Sequence, residues 1–400
     1  MTTQERIAAG RAPGQTWWSA GLSVAAVGWG AQQFAPLLLM YQARLHLSPA
    51  TIQATFGLYV LGLIPSLLLG GPLSDRVGRR PVAVPALAIS IGSTLLLAAG
   101  GTGAGWLFAG RLVAGIASGA AFSAGAAWIK ELSGGGDGVN HGPRRLTVAM
   151  SVGFGIGPLV AGVLAQWAPA PTLIPYLPHL ILASAALLLA IRAPETRLPG
   201  RRQEANAGPL PPELRSRRFL TVVVPLAPWV FGSAAIALAY LPEVVRTQLG
   251  GGALLFSGVI TMLSAGSGIA VQPLARRLDL PGRPGLLAAA LGTVVVGLLA
   301  AAGAAAAAQP ALVFPAAVIL GAGYGGCQVC GLLEVQRLAR PAHLAGLTSV
   351  YQAVSYTGYV APFPLAAASR LLAPPELLLV VAGLAMITLA WTVRQASSAA

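Results

Sequence analysis

Apolar residues run along this chain in long unbroken stretches separated by short polar segments, with no period-two alternation between the faces of a strand. Twelve such runs can be placed: Trp17–Tyr41, Thr51–Gly70, Pro81–Ala99, Trp106–Ile129, Leu146–Trp167, Leu173–Ile191, Phe219–Leu241, Leu254–Leu274, Gly285–Ala306, Leu312–Leu333, Leu344–Ala368 and Pro375–Val393. Each is close to the roughly 20 residues that cross a hydrocarbon core. Continuous apolarity predicts helices, because the strands of a membrane barrel alternate over about 10 residues. The longest polar stretch, Ala193–Arg218, leaves six runs on either side. The predicted organisation is an N-terminal six-helix bundle over 1–192, a linker over 193–218 and a C-terminal six-helix bundle over 219–400.

Composition agrees. Hydrophobic residues make up 56% and charged residues only 9%, against about 25% charged in soluble domains. Of the 25 Lys and Arg, 21 fall in the termini and the even-numbered connections, three (Arg44, Arg246, Arg370) in the odd-numbered ones, and Arg111 inside a run. The positive-inside rule then predicts both termini in the cytoplasm of a multi-pass cell-membrane protein. A nucleic-acid binder would gather its basic residues on one exposed face. Here a net charge of +14 is spread over seven short segments, so the expected partners are anionic membrane lipids and not nucleic acid. Trp17–Tyr41 is too long for a signal-peptide core and is expected to remain as the first span. Cys327 and Cys330 have no further ligands nearby in sequence and are expected to be small packing residues, with no metal and no cofactor.

The two sixes also repeat. Gly115 and Gly119 in the fourth run recur as Gly321 and Gly325 in the tenth, and Gly157-Pro158 in the fifth recurs as Ala361-Pro362 in the eleventh. Gln272-Pro273-Leu274-Ala275-Arg276-Arg277 follows the eighth run as Gly71-Pro72-Leu73-Ser74-Asp75-Arg76 follows the second. Such a duplication places a substrate site between the halves near mid-membrane.

The segment Gly71-Pro72-Leu73-Ser74-Asp75-Arg76-Val77-Gly78-Arg79-Arg80-Pro81 is the most specific in the chain, a short charged connection turning tightly between two spans. With the six-plus-six layout and the basic linker, it resembles the major facilitator superfamily over nearly the whole length. Gly71, Leu73, Asp75, Arg76, Gly78, Arg79 and Arg80 stand on the marked positions of that family's loop motif. Leu107, Arg111, Gly115 and Gly119 resemble its fourth-helix motif, with Ala114 where a polar residue is often found. Gly153-Phe154-Gly155-Ile156-Gly157-Pro158, followed by Gly162, resembles the fifth-helix motif of exporters that exchange substrate for protons. Pro194-Glu195-Thr196 is also common in the family. The resemblance implies an all-α major facilitator fold, a monomer as the working unit, and transport by alternating access.

It also implies site roles. Asp75 would face the N-terminus of the eleventh helix, where an anion gains about 0.3–1 kcal/mol from the helix dipole. Arg76, Arg79 and Glu131 would complete a latch between the halves; the other reading is a solvated loop that only sets topology. Arg111 is either a pathway residue or a side chain that snorkels to headgroups. His179 and Glu243 are its candidate partners. Gly153, Gly157 and Gly162 predict close helix contact, with a bend at Pro158 that suits a pivot; ordinary small-residue packing is the alternative.

In the resembling family the first, fourth, seventh and tenth helices surround the pathway. They supply Trp29, Gln32, Gln33, Trp229, Tyr324 and Gln328, with Tyr356 of the eleventh helix as a further candidate. Adjacent positions point about 100° apart on a helix, so one of Gln32 and Gln33 is expected to reach the cavity.

None of those four spans carries Asp or Glu near its middle. That weakens the proton-exchange inference and argues against a strongly cationic substrate. Three function classes follow: export of a small, fairly apolar compound in exchange for protons, uptake or facilitated transport of a neutral metabolite, and a membrane enzyme. The four histidines are scattered and no phosphate-cradling loop is present, which disfavours an enzyme or an ATPase.

Overall fold

The computed structural model describes residues 17–133, 141–197, 211–280 and 284–397. Much of the linker (198–210) and Arg283 lie outside these. All regular structure among the described residues is helical. The first half comprises α1 (Trp17–Arg44), α2 (Pro49–Val77), α3 (Arg80–Thr102) and α4 (Ala104–Ser133). It continues with α5, built of His141–Ser151, Val152–Ile156 and Gly157–Trp167 in succession, and α6 (Ile174–Arg192). The second half comprises α7 (Phe219–Val244), α8 (Gly250–Arg277), α9 (Gly285–Ala306) and α10 (Pro310–Leu338). Then come α11, in the pieces Leu344–Tyr356, Thr357–Val360 and Pro362–Ala368, and α12 (Pro374–Ser397).

Eleven helices among the described residues are long and apolar enough to cross a membrane. The remaining predicted run is α11, which is helical over its length but interrupted at Thr357–Val360. Pro362 has no N–H to return to the Gly358 carbonyl, and Ala361 takes that carbonyl in a tighter turn at 3.0 Å. Elsewhere the helices overrun the predicted ends, most notably in α2. The expected connection Gly71–Pro81 is mostly helix: α2 continues through Val77, and only Gly78 and Arg79 separate it from α3. Gly78 closes the turn at φ +113°, and a Cβ there would sit 2.7 Å from a Glu195 oxygen, so glycine is required on both grounds.

α1 and α7 are the most buried spans, at 89% and 78%, while α6 and α12 are the least, at 33% and 28%. In these two matching pairs the helices of the two halves are buried to similar extents. The glycines explain the tightest contacts. A Cβ at Gly115 would strike the Tyr59 carbonyl and one at Gly119 the Leu63 carbonyl; at Gly321 and Gly325 the obstacles are the carbonyls of Ser264 and Gly268. α4 lies on α2 as α10 lies on α8, backbone against backbone, as small residues permit. The repeat read from sequence is a repeat of contacts.

Candidate functional site

Arg111 enters the first half sideways and stays there. Only 1% exposed, it donates from Nη1 to the Ala31 carbonyl of α1 at 2.9 Å and from Nη2 to the Phe56 carbonyl of α2 at 3.0 Å. Its guanidinium lies 4.6 Å from the Tyr59 ring centroid, 5.2 Å from Phe34 and 5.4 Å from Phe56. A desolvated cation over aromatic faces gains about 2 kcal/mol or more. Neither candidate partner reaches it, and it does not snorkel. His179 bonds Thr94 at 2.9 Å, Thr94 accepts from Gln33 at 3.1 Å, and Ser90 lies 3.4 Å from the other ring nitrogen. Gln33 therefore faces α3.

Gln32, one position earlier, crosses to the second half and donates to the Tyr359 hydroxyl of α11. Tyr359 belongs to a run of touching rings. Phe231 stacks on Tyr356 at 4.0 Å and meets Tyr324 at 5.5 Å and Tyr359 at 5.4 Å; Tyr359 stacks on Phe56 at 5.3 Å. Tyr356 and Tyr324, both named from sequence, thus share one aromatic seam with Phe231, Tyr359, Phe56 and Tyr59, near the middle of α7, α10 and α11. Gln328 and Trp229 are half-buried on α10 and α7 and are not among these ring contacts; the Gln328 amide oxygen is buried without a partner. Trp29 packs instead against Gly157 of α5.

On the face opposite the α2–α3 turn the halves are joined directly. Gln42 of α1 donates to Glu243 of α7 at 2.8 Å, and Gln53 of α2 donates to the Ala239 carbonyl at 2.8 Å. Gln166 of α5 donates to the Gly251 carbonyl and accepts from Leu254 N–H at 3.3 Å. Glu243 also lies 3.8 Å from Arg246. Gly162 completes this seal: a Cβ there would stand 2.7 Å from the Leu254 carbonyl of α8. Of the fifth-helix glycines, Gly153 and Gly157 abut α1 within the first half, and Gly162 alone abuts the second. The predicted bend at Pro158 is preceded by a widened π-helical turn over Val152–Ile156.

On the basic face each half satisfies its own charges. Arg79 bonds Asp75 at 2.5 Å and Glu131 at 2.8 Å. Burial opposes the Arg79 charge, but these two carboxylates hold its proton more tightly than usual. Arg76 and Asp75 are exposed, and Arg80 reaches the carbonyls of Ile191 and Ala193 at 3.3 Å. The carboxylate at a helix N-terminus is Glu195, not Asp75. It accepts from the backbone N–H groups of Arg79 (3.0 Å) and Arg80 (2.9 Å) where α3 begins, and from Thr196 and Arg197 at 3.0 Å. Although burial works against ionisation, the N–H groups hold this carboxyl below its ordinary value. In the second half, Arg218 bonds Glu334 at 2.7 Å, and Arg337 bridges Glu334 (2.8 Å) and Asp279 (2.6 Å). Among the described residues no hydrogen bond or ion pair joins the halves on this face.

Sequence reasoning did not single out Phe231, Tyr359, Phe56, Tyr59 or the capping role of Glu195. One signal was available: Phe56/Tyr59 and Tyr356/Tyr359 are both i,i+3 pairs, which present two rings on one helical face.

The family model of the Major Facilitator Superfamily matches residues 19–362. The multidrug resistance protein MdtL of Escherichia coli O45:K1 (strain S88 / ExPEC) is 34% identical over 80 residues, 20% of each chain. MdtL of Escherichia coli O139:H28 (strain E24377A / ETEC) is 32% identical over the same extent. Thus the alignment spans about a fifth of the length of these relatives. Among solved structures, a peptide transporter POT in complex with sulfate superposes with a TM-score of 0.76 at 13% identity, covering 99% of both chains. The nucleoside transporter NupG gives 0.68 at 12% identity, over 95% of this chain and 99% of that one. With its helical repeat, its sealed face and a family match over most of its length, the chain belongs to the Major Facilitator Superfamily and is a multi-pass membrane transporter, not an enzyme.

Proposed function

We propose that the protein exports a small, fairly apolar compound from the cell, in exchange for protons, by rocking its two six-helix halves about a central passage. With the basic face in the cytoplasm, as the positive-inside rule expects, hydrogen bonds join the halves on the outer side, and among the described residues none joins them on the inner; we assign this conformation to the inward-facing side of the cycle. The observation that carries the reading is the mid-membrane aromatic seam of Phe231, Tyr324, Tyr356 and Tyr359, reached by the single amide of Gln32. Such a surface suits a flat apolar molecule held by ring contacts and a few hydrogen bonds. The resemblance of its fifth-helix motif to that of exporters, and the partial similarity to MdtL, favour export.

Of the ionisable side chains named from sequence, Glu243 lies on the seam between the halves, where its protonation would weaken the outer seal. The Asp75–Arg79–Glu131 cluster would engage α11 only after the inner side closes. Everted membrane vesicles test this. A panel of apolar dyes should accumulate when the protein is present, and accumulation should collapse with a protonophore. Gradient-independent movement would favour a facilitator of a neutral metabolite, and no movement of any panel member would refute export of apolar compounds.

A further inference from the structure

A partly open pocket lies on the basic face, away from the aromatic seam. Trp17 of α1 and His141, Arg144, Arg145 and Val148 of α5 line a pocket of about 240 Å³. The Arg145 guanidinium stands 4.9 Å from the Trp17 ring centroid, and its Nη1 is buried with no hydrogen-bond partner among the described residues. Among the described residues no acidic side chain lines the pocket. This separates it from the sites of Arg79, Arg218 and Arg337 on the same face, which are already held by carboxylates. An unmet guanidinium donor calls for an anionic oxygen, and the planar fork of arginine matches phosphate.

The surroundings narrow the source of that phosphate. Val148, Val152 and Ile156 recur every four residues along α5 and are 50%, 40% and 46% exposed. They form an apolar strip running from the pocket into the membrane-spanning length of the helix. Trp17 sits at the end of α1, the level at which tryptophan marks a membrane–water boundary. We propose that the pocket binds an anionic phospholipid, its phosphate between Arg144, Arg145 and the His141 ring, and one acyl chain along Val148, Val152 and Ile156.

The test is titration of the purified full chain with phosphatidylglycerol and phosphatidylcholine, read by native mass spectrometry. Wild type should retain phosphatidylglycerol in preference, and Arg144→Gln/Arg145→Gln should bind it about 30-fold more weakly, the scale of removing two basic residues beside a lipid headgroup. Val148→Glu alters an exposed position and should lose the preference with thermal stability unchanged, which covers the case in which the double variant folds poorly. Arg276→Gln/Arg277→Gln removes the same charge from exposed positions at the end of α8 and should keep wild-type binding. Equal affinity in wild type and the pocket variants would overturn the assignment. So would an equal loss in the α8 variant, which would make the effect one of overall charge. Displacement of phosphatidylglycerol by millimolar inorganic phosphate would assign the pocket to free phosphate and overturn the lipid.

Discussion

Alanine at Gly162 would place a methyl carbon 2.7 Å from the Leu254 carbonyl oxygen and 3.3 Å from Gly258 Cα. Both obstacles are backbone, so no side chain can swing aside, and α5 must move off α8 by several tenths of an ångström. Overpacking of this kind costs about 1–3 kcal/mol. In alternating access that cost falls only on the conformation in which these helices touch. A penalty of this size against one of two states shifts their ratio by about 5- to 150-fold. Spin labels on Leu173→Cys and Thr247→Cys, both exposed near this face, report the separation of the halves; the native Cys327 and Cys330 are buried. Gly162→Ala should move population to longer distances. Gly258→Ala, whose Cβ would lie 3.0 Å from the Pro158 carbonyl, should do the same more weakly. A folded Gly162→Ala protein with an unchanged distance distribution would refute the idea that this contact belongs to one state.

Arg111→Lys keeps the charge but not the fork that spans two helices. Losing one charge-assisted hydrogen bond should lower stability by about 1.5–3 kcal/mol in thermal unfolding; an unchanged melting temperature would contradict the bracing role. Asp75→Asn should insert and fold, because Arg79 keeps Glu131, yet transport slowly; wild-type rates in proteoliposomes would remove Asp75 from the cycle. Glu195 is held below its ordinary value of 4.5. Its contribution to stability is therefore full above pH 4.5 and is lost as pH falls through the lower folded-state value. Glu195→Gln should be less stable near neutrality and should lack that part of the acid-induced decline, as seen in melting curves taken from pH 7 to pH 3.

Several of the fold's determinants were local and so were legible in the residues. The spacing of Gly115 and Gly119, repeated at Gly321 and Gly325, marked the repeat; that each pair seats one helix backbone on another is a matter of packing. Pro362 was read only as part of the repeat, and the break in the eleventh run was not foreseen, since whether a helix bends or breaks depends on which neighbours take up the freed carbonyl. The charged connection after the second run was recognisable, but its extent was not. Charged residues at a span's end can stay helical, and α2 does so as far as Gly78.

The candidate site was legible only in part. Tyr324 and Tyr356 were on the page as rings in spans; Phe231 and Tyr359 join them only because α7, α10 and α11 pack with particular rotations. Gln32 and Gln33 could be separated in principle by 100°, but which one crosses to the second half is fixed by the turn of α1 against α3. Arg111 offered no sequence clue to its carbonyl partners, since any backbone oxygen in reach would serve.

The chain by itself determined that it is an all-helical protein that spans the membrane many times. In lipid each backbone must satisfy its own hydrogen bonds within its own segment, so apolar length and placement of charge suffice. Only the packed structure decided that Glu195 caps α3 from more than a hundred residues away, that Arg111 braces three helices, and that, among the described residues, hydrogen bonds join the halves on the face opposite the α2–α3 turn and not on the basic one. Those outcomes rest on contacts between distant segments, and for the last of them on a difference of a few kcal/mol between conformations that the same sequence permits.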